Sequence, residues 1–305
     1  MFLRLLIVLL GLLITVGRTE AQQPVSFAPA SQGARPGAGI PESIPAILGW
    51  PRSTMNTVPA VVIVHASAGL MPNGPEHRYA SALNDAGIAT LVIDMWSARG
   101  IPAGPEAFGG TGGVDRRPKL PSDTLPDAFG ALQFLAAQNG IDRGRIGILG
   151  FSWGAAVSML AAIQANAERA VGPDLRFAAH AAHYPVCWPY LPGGPGANVL
   201  TAQWTGAPLQ LQVAGRDDYD ADGGASCRKL VESLPSDERA NVSVIVHDQA
   251  THAWEVDLPF PMKFEDRYSH RGAGGPVQMA YDPSVTASAL ATTVEFFTQR
   301  LAPKH

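Results

Sequence analysis

The chain has 305 residues, 46% of them hydrophobic and 16% charged, with a formal net charge of −4. That is enough apolar material for one large core, and the acidic balance excludes a surface made for nucleic acid or anionic membrane. Thirty-two Gly and 26 Pro imply many turns and exclude a coiled coil.

The chain starts with Arg4, an apolar run over 5–16 and small residues at Thr19 and Ala21. This reads as a cleaved secretory signal over 1–21. The run is shorter than the ~20 residues a membrane span needs; an uncleaved anchor is the alternative. Loss of Arg4, Arg18 and Glu20 with this segment takes the formal charge to −5. The stretch 22–45, rich in Pro, Gly, Ala and Ser, is expected to be a loose lead-in to a single domain over 46–305. Export favours a disulfide between the two cysteines, Cys187 and Cys227; two buried thiols are the alternative.

Short apolar runs then alternate with helical segments. Strands are expected over 60–64, 88–93, 145–149, 177–182, 209–214 and 242–246. Helices are expected over 75–86, 125–138, 154–167 and 225–234. The last helix should start with Asp282 as cap and Pro283 as first residue, and run to 301. Continuous apolar strands separated by helices predict an α/β fold with a mostly parallel sheet and helices on both faces. The irregular stretches 97–121 and 185–206 are long for connections and are expected to rim a site.

The strongest local signal is Gly150-Phe151-Ser152-Trp153-Gly154. The strand-like R-I-G-I-L precedes it and an alanine-rich helix follows, the context in which G-x-S-x-G forms a sharp turn and presents a nucleophilic serine. A serine needs a base, and the base needs an orienting acid. In that chain order the acid follows a later strand. Asp217 is nearest the end of 209–214, with Asp218 as the alternative; Asp220 and Asp222 read as a solvated loop or helix cap. The base should lie beyond 242–246. His252, five residues into the expected loop, is preferred over His247, which reads as structural. Oxyanion donors are expected from the Trp153 amide and from the loop 65–70 after the first of these strands.

Together these pieces resemble the dienelactone hydrolase family of α/β hydrolases. The resemblance rests on H-A-S-A-G-L at His65, D-M-W-S-A-R-G at Asp94, G-F-S-W-G at Gly150, Y-P-V-C at Tyr184, G-R-D-D-Y at Gly215 and T-H-A-W at Thr251. It implies an α/β-hydrolase fold without a large lid, the acid at Asp217, the base at His252 and a second oxyanion donor on the Ser67 backbone. It also implies pairing of Cys187 with Cys227. Two departures matter: Ser152 replaces the cysteine nucleophile of the namesake enzymes, and Ala66 stands where they carry a glutamate. An ordinary ester or lactone is therefore expected as the small-molecule substrate rather than dienelactone itself. No metal or organic cofactor is required, and no stable membrane association is expected after signal cleavage. The rival readings are an exported peptidase or amidase on the same triad, and a non-catalytic binding protein.

Other residues read more plainly. His180 and His183, three apart on a strand, should face opposite sides and serve as core or strand-end histidines. His65 should buttress the oxyanion loop. Trp96, Trp188, Tyr219 and Trp254, with Trp153, are candidates for an aromatic substrate pocket. Arg116, Arg117 and Lys119 read as a solvated basic cluster. The glycine run 109–113 lacks the G-K-S/T that a phosphate loop needs.

Overall fold

The computed structural model describes residues 22–31, 39–53, 55–104, 107, 115–197, 199–200 and 202–303. The expected signal over 1–21 and the glycine run 109–113 lie outside them. Eight strands form one sheet: β1 (Gln22–Phe27), β2 (Ile44–Gly49), β3 (Val58–Val64), β4 (Ala89–Ile93), β5 (Ile141–Phe151), β6 (Ala179–His183), β7 (Leu209–Arg216) and β8 (Val242–Thr251). Their order is β1-β2-β4-β3-β5-β6-β7-β8. The pairings of β1 and β2 are antiparallel, and those from β4 to β8 are parallel. A separate two-stranded hairpin, β9 (Met262–Asp266) with β10 (Gly275–Met279), follows the main sheet in sequence.

Strand β3 and the second half of β5 are apolar on both faces because helices cover both. Val62 and Val64 of β3 and Ile146 and Ile148 of β5 belong to one core. Val61, Ile63, Leu149 and Phe151 belong to the other. The first core is closed by α2 (Leu125–Ala136), α3 (Trp153–Ala161), α4 (Gln164–Val171) and α5 (Ala225–Glu232). The second is closed by α1 (Glu76–Asp85) and α8 (Pro283–Arg300). Two short segments, α6 (Ser236–Arg239) and the irregular α7 (Ser269–Gly272), are single turns. Each fully buried Val, Leu, Ile or Phe contributes about 1.5–3 kcal/mol, so the two cores hold the sheet rigid beneath its loops. Asp282 caps α8 as expected, its Oδ1 accepting the Ser284 and Val285 amides at 3.0 Å.

Four details depart from the sequence expectations. The stretch 22–45 is not loose throughout: β1 pairs with β2, and Phe27 packs on Phe134 of α2 at 5.8 Å. Pro24 is tolerated there because β1 is an edge strand. The helix expected over 154–167 is two helices. Ile163 is extended between them and bridges Trp204, while the Gln164 amide bonds Gln203 O at 2.9 Å. β5 begins four residues earlier than the apolar run at 145–149. β8 continues to Thr251, so His247 lies inside the strand and His252 directly follows it.

A disulfide joins Cys187, after β6, to Cys227 in α5, 40 residues apart. Closing a loop of that length removes unfolded-state entropy worth up to ~4 kcal/mol. Replacing both cysteines by serine should therefore lower the unfolding free energy by about 2–4 kcal/mol in urea titrations. Coincident curves for the two proteins would contradict this.

Candidate active site

The loops after β3, β5, β6, β7 and β8 meet at the carboxyl ends of the parallel strands. β3 leads to β4 on one side while β5 lies on its other side. This switch point is where open α/β sheets leave a crevice. Register fixes the neighbours: Val64 of β3 pairs with Gly150 of β5, and Phe151 with His183 of β6.

Ser152 stands between β5 and α3 at φ 50°, ψ −103°, a left-handed backbone that strains a residue with a side chain. Its amide bonds His183 O at 3.0 Å, and its carbonyl accepts the Ala156 amide at 3.1 Å. A Cβ on Gly150 would collide with Gly154 O, and one on Gly154 with Val64 O. Both positions therefore need glycine for α3 to start so close to β3.

His252 is buried and spans the distance from serine to acid. Its Nε2 lies 2.8 Å from Ser152 Oγ, and its Nδ1 lies 2.7 Å from Asp217 Oδ2. A carboxylate only accepts, so Nδ1 carries the hydrogen and Nε2 is free to accept the serine hydroxyl. Asp217 Oδ1 takes the Tyr219 amide at 2.9 Å. Asp218 turns the other way: Oδ2 accepts the Gln278 amide of β10 at 2.7 Å. The Tyr219 ring packs edge-on against His252 at 4.6 Å, and its hydroxyl donates to Asp266 of β9 at 2.9 Å.

Asp220 is not solvated but 3% exposed. It accepts the amides of Cys187 (3.0 Å) and Trp188 (2.8 Å). Burial, then the charge of Asp217, pushes its carboxyl up to about 7. Asp222 lies two residues before the cap position of α5, at Gly224, but serves its first turn, accepting the Ser226 amide at 3.0 Å, and it pairs with Arg271.

The loop after β3 is clamped on both sides of Ser67. His65 donates from Nδ1 to Ala66 O at 2.7 Å, while its Nε2 accepts the Met95 amide at 3.0 Å. Burial lowers the ring's pKa to about 4, so it stays neutral. Gly69 N also bonds Ala66 O at 3.0 Å. The Trp96 indole donates to Ser67 O at 2.9 Å and packs edge-on against Trp153 at 5.6 Å.

A buried polar network that the sequence did not point to lies on the α1 and α8 face. Glu255 accepts the Tyr79 hydroxyl at Oε1, and its Oε2 lies 2.9 Å from His183 Nδ1. His183 Nε2 reaches Thr293 Oγ1 at 2.9 Å, and His247 Nε2 reaches Gln212 Oε1 at 2.6 Å. His180 points to the opposite face, against Ser158 O at 3.0 Å. The one available signal was position: Glu255 falls three residues after His252.

The aromatic expectation holds only in part. Trp96 and Trp254 are fully buried and present no surface to a substrate; each fills core beside the site. Trp153, Trp188 and Tyr219 keep accessible surface. In the basic cluster, Arg117 pairs with Asp115 at 2.6 Å, and Arg116 and Lys119 are exposed. Among the described residues the one convergent set of three possible metal ligands is Cys187, Asp220 and Cys227, whose sulfurs are bonded to each other.

Residues 44–301 match the model of the Dienelactone hydrolase family. No curated protein matches the sequence. Several solved structures share the fold. Dienelactone hydrolase from Anabaena variabilis aligns with 16% identity and TM-score 0.56, covering 92% of this chain and 98% of that one. A dienelactone hydrolase-like promiscuous phosphotriesterase from metagenomic libraries gives 17%, 0.56, 92% and 98%. Est1E from Butyrivibrio proteoclasticus gives 13%, 0.56, 92% and 99%.

The crossing of α3 over β3 makes a local prediction. Gly154→Ala drives a methyl group into the Val64 carbonyl and should lower stability by about 1–3 kcal/mol or more, read from the urea midpoint. An unchanged midpoint would show that the elbow has room the geometry denies.

Proposed function

This chain belongs to the dienelactone hydrolase family, and we propose that it is an exported serine hydrolase that cleaves a carboxylic ester or lactone through an acyl-enzyme on Ser152. The observation that carries the reading is the continuous chain from Ser152 Oγ through His252 to Asp217. It supplies a nucleophile, a base within proton-transfer reach and an acid that fixes the base's tautomer.

In this mechanism His252 Nε2 takes the Ser152 proton as Oγ attacks the substrate carbonyl. Asp217 stabilises the imidazolium that results. His252 then protonates the leaving alcohol oxygen and later removes a proton from the water that releases the acid. Two backbone amides stabilise the oxyanion. The Trp153 amide opens α3 and has no acceptor within the helix; the helix dipole adds positive potential there. The Ser67 amide shares its peptide plane with Ala66 O. His65 and Gly69 both grip that oxygen, so in a trans peptide the Ser67 N–H is held facing the other way. Such a donor typically contributes about 2.7–4 kcal/mol to the transition state. Tyr219, whose ring packs on His252, and Trp188, whose amide is tied to Asp220, keep accessible surface and are the proposed substrate-facing aromatics.

Export rests on the signal-like composition of 1–21, and the Cys187–Cys227 bond supports an oxidising compartment. Among the described residues no helix is long and apolar enough to cross a membrane.

Hydrolysis of p-nitrophenyl acetate and butyrate by the mature protein tests the reading. Ser152→Ala should abolish turnover, and Asp217→Asn should lower kcat by about 10²–10⁴. Asp218→Asn, which loosens only the tie to β10, should have a far smaller effect. Equal turnover by wild type and Ser152→Ala would overturn the proposal, and faster cleavage of a matched anilide would redirect it to amides.

A further inference from the structure

His252 opens a tight turn. Thr251 ends β8, Ala253 stands at φ 57°, and the Val256 amide closes back on Ala253 O at 3.1 Å. A non-glycine residue keeps such a backbone only where its surroundings over-determine it. Two anchors do so here. Trp254 O accepts the Asp282 amide at 3.0 Å and the Thr286 hydroxyl at 3.2 Å, which ties the turn to the start of α8. Glu255 is the other anchor. Its side chain is fully buried, with the Tyr79 hydroxyl on Oε1 and the His183 ring on Oε2 at 2.9 Å. Arg78 Nη1 donates to its carbonyl at 3.2 Å. The far end of this route is the nucleophile: His183 closes β6, and its carbonyl accepts the Ser152 amide at 3.0 Å.

We propose that Glu255 is a positioning residue of this site, locking the turn that carries His252 to the end of β6 that holds the Ser152 backbone. The proposal rests on the reading of Ser152 as nucleophile and His252 as base, and adds to that machinery a part that touches neither substrate nor reacting atoms. Asp217 meets the His252 ring directly and fixes which nitrogen carries the hydrogen. Glu255 acts on the backbone behind the ring. The 2.8 Å between Ser152 Oγ and His252 Nε2 is then set by a buried brace that runs from the Ser152 amide through His183 to Glu255 and back along the chain to His252.

The two side chains that hold Glu255 are themselves wedged against the elbow. The rings of Tyr79 and His183 meet edge-on at 5.2 Å, and each packs on Phe151, the residue before the nucleophile, at 5.3 and 5.2 Å. Directional bonds, not charge, are what the brace requires, and an amide can supply them. Glutamine at 255 keeps an acceptor for the Tyr79 hydroxyl and turns an N–H towards His183 Nδ1. The His183 ring then takes its other tautomer, donating from Nε2 to Thr293 Oγ1 at 2.9 Å, and the threonine hydroxyl passes its hydrogen to Gln210 Oε1 at 3.3 Å. Alanine at 255 offers none of these bonds and leaves Tyr79 and His183 with buried, unmet donors.

The test compares wild type, Glu255→Ala, Glu255→Gln and Tyr79→Phe in kcat and KM for p-nitrophenyl butyrate and in the rate at which a fluorophosphonate labels Ser152, at a temperature where melting curves show each protein folded. Glu255→Ala should lower kcat and the labelling rate together by about 10- to 100-fold, the effect of a base displaced by about 1 Å. KM should stay within about twofold, because the loss falls on the transition state rather than on substrate binding. Glu255→Gln should restore most of both rates. Tyr79→Phe, which removes one of the two side-chain bonds, should lower kcat about threefold to tenfold, and it decides the matter if Glu255→Ala fails to fold. Wild-type kcat and labelling in Glu255→Ala, or in Tyr79→Phe where it stands alone, would overturn the role. So would a Glu255→Gln variant as impaired as Glu255→Ala, since the charge rather than the brace would then be at work. Those results leave Ser152 untouched, whereas turnover by Ser152→Ala would remove the reading on which the role depends.

Discussion

Ser152 is held at φ 50°, where a residue with a side chain is destabilised by about 1–3 kcal/mol, and the surrounding chain allows it no other conformation. β5 is paired on both sides, to β3 and β6. The amide of Ser152 is committed to His183 O, and its carbonyl is committed to α3. Glycine at 150 and 154 lets α3 begin against the backbone of β3. The serine hydroxyl is thus aimed by the sheet itself. The same logic recurs around it. Among the described residues the other non-glycine positions with positive φ are Tyr184, Ala221, Ala253, His270 and Arg271. They lie in the loops after β6, β7 and β8 and in the turn of the hairpin. Among the described non-glycine residues, positive φ gathers in the loops at the carboxyl ends of the strands and in the hairpin turn, so the sheet holds strained loop residues that a flexible chain would release.

The two faces of the sheet solve burial differently. Against α2 and α3 the strands present mostly aliphatic side chains, with His180 on Ser158 O as a polar member, and Asp127 of α2 pairs with the buried Arg99 at 2.7 Å. Against α1 and α8 they present Gln210, Gln212, His183 and His247, which bond to one another, to Thr293 and to Glu255. Aliphatic packing on that face would provide comparable burial. A satisfied polar network adds directionality, because each hydrogen bond fixes an orientation and an unpaired member is costly in a low-dielectric interior. This network lies beneath the loop that carries His252 and Glu255, where it fixes orientation rather than merely excluding water.

The parts of the site legible in the sequence are those set by local geometry. A strand, two glycines and a helix define the elbow within five residues, and Asp217 and His252 each follow a strand closely enough to be picked out by order along the chain. What stayed hidden depends on distant contacts. Nothing local distinguishes Glu255 from any acidic residue in a loop; its burial shows only once Tyr79 of α1 and His183 of β6 are brought against it. Trp96 and Trp254 sit on the expected loops, yet burial rather than loop membership decides whether an aromatic ring can meet a substrate. β1 escaped notice because its pairing partner lies beyond a Pro- and Gly-rich segment.

The acid loop shows most sharply why residue type alone could not assign roles. Asp217, Asp218, Asp220 and Asp222 lie within six residues, and each carboxyl faces a different element. Asp217 meets His252, Asp218 meets β10, Asp220 meets the loop after β6, and Asp222 meets α5 and Arg271. Four unsolvated carboxylates side by side would repel one another. Dividing them among separate sets of donors makes the crowding tolerable, and the residual repulsion is visible in Asp220, whose carboxyl is pushed up partly by Asp217. The arrangement also couples the elements it touches. The disulfide ties the loop after β6 to α5, and Asp220 fastens that same loop to the acid loop. Tyr219 then carries the constraint onto His252 through ring contact and onto β9 through Asp266. The position of His252 is thereby supported by contacts from several loops, while the direct bond from Asp217 to Nδ1 fixes which ring nitrogen carries the hydrogen.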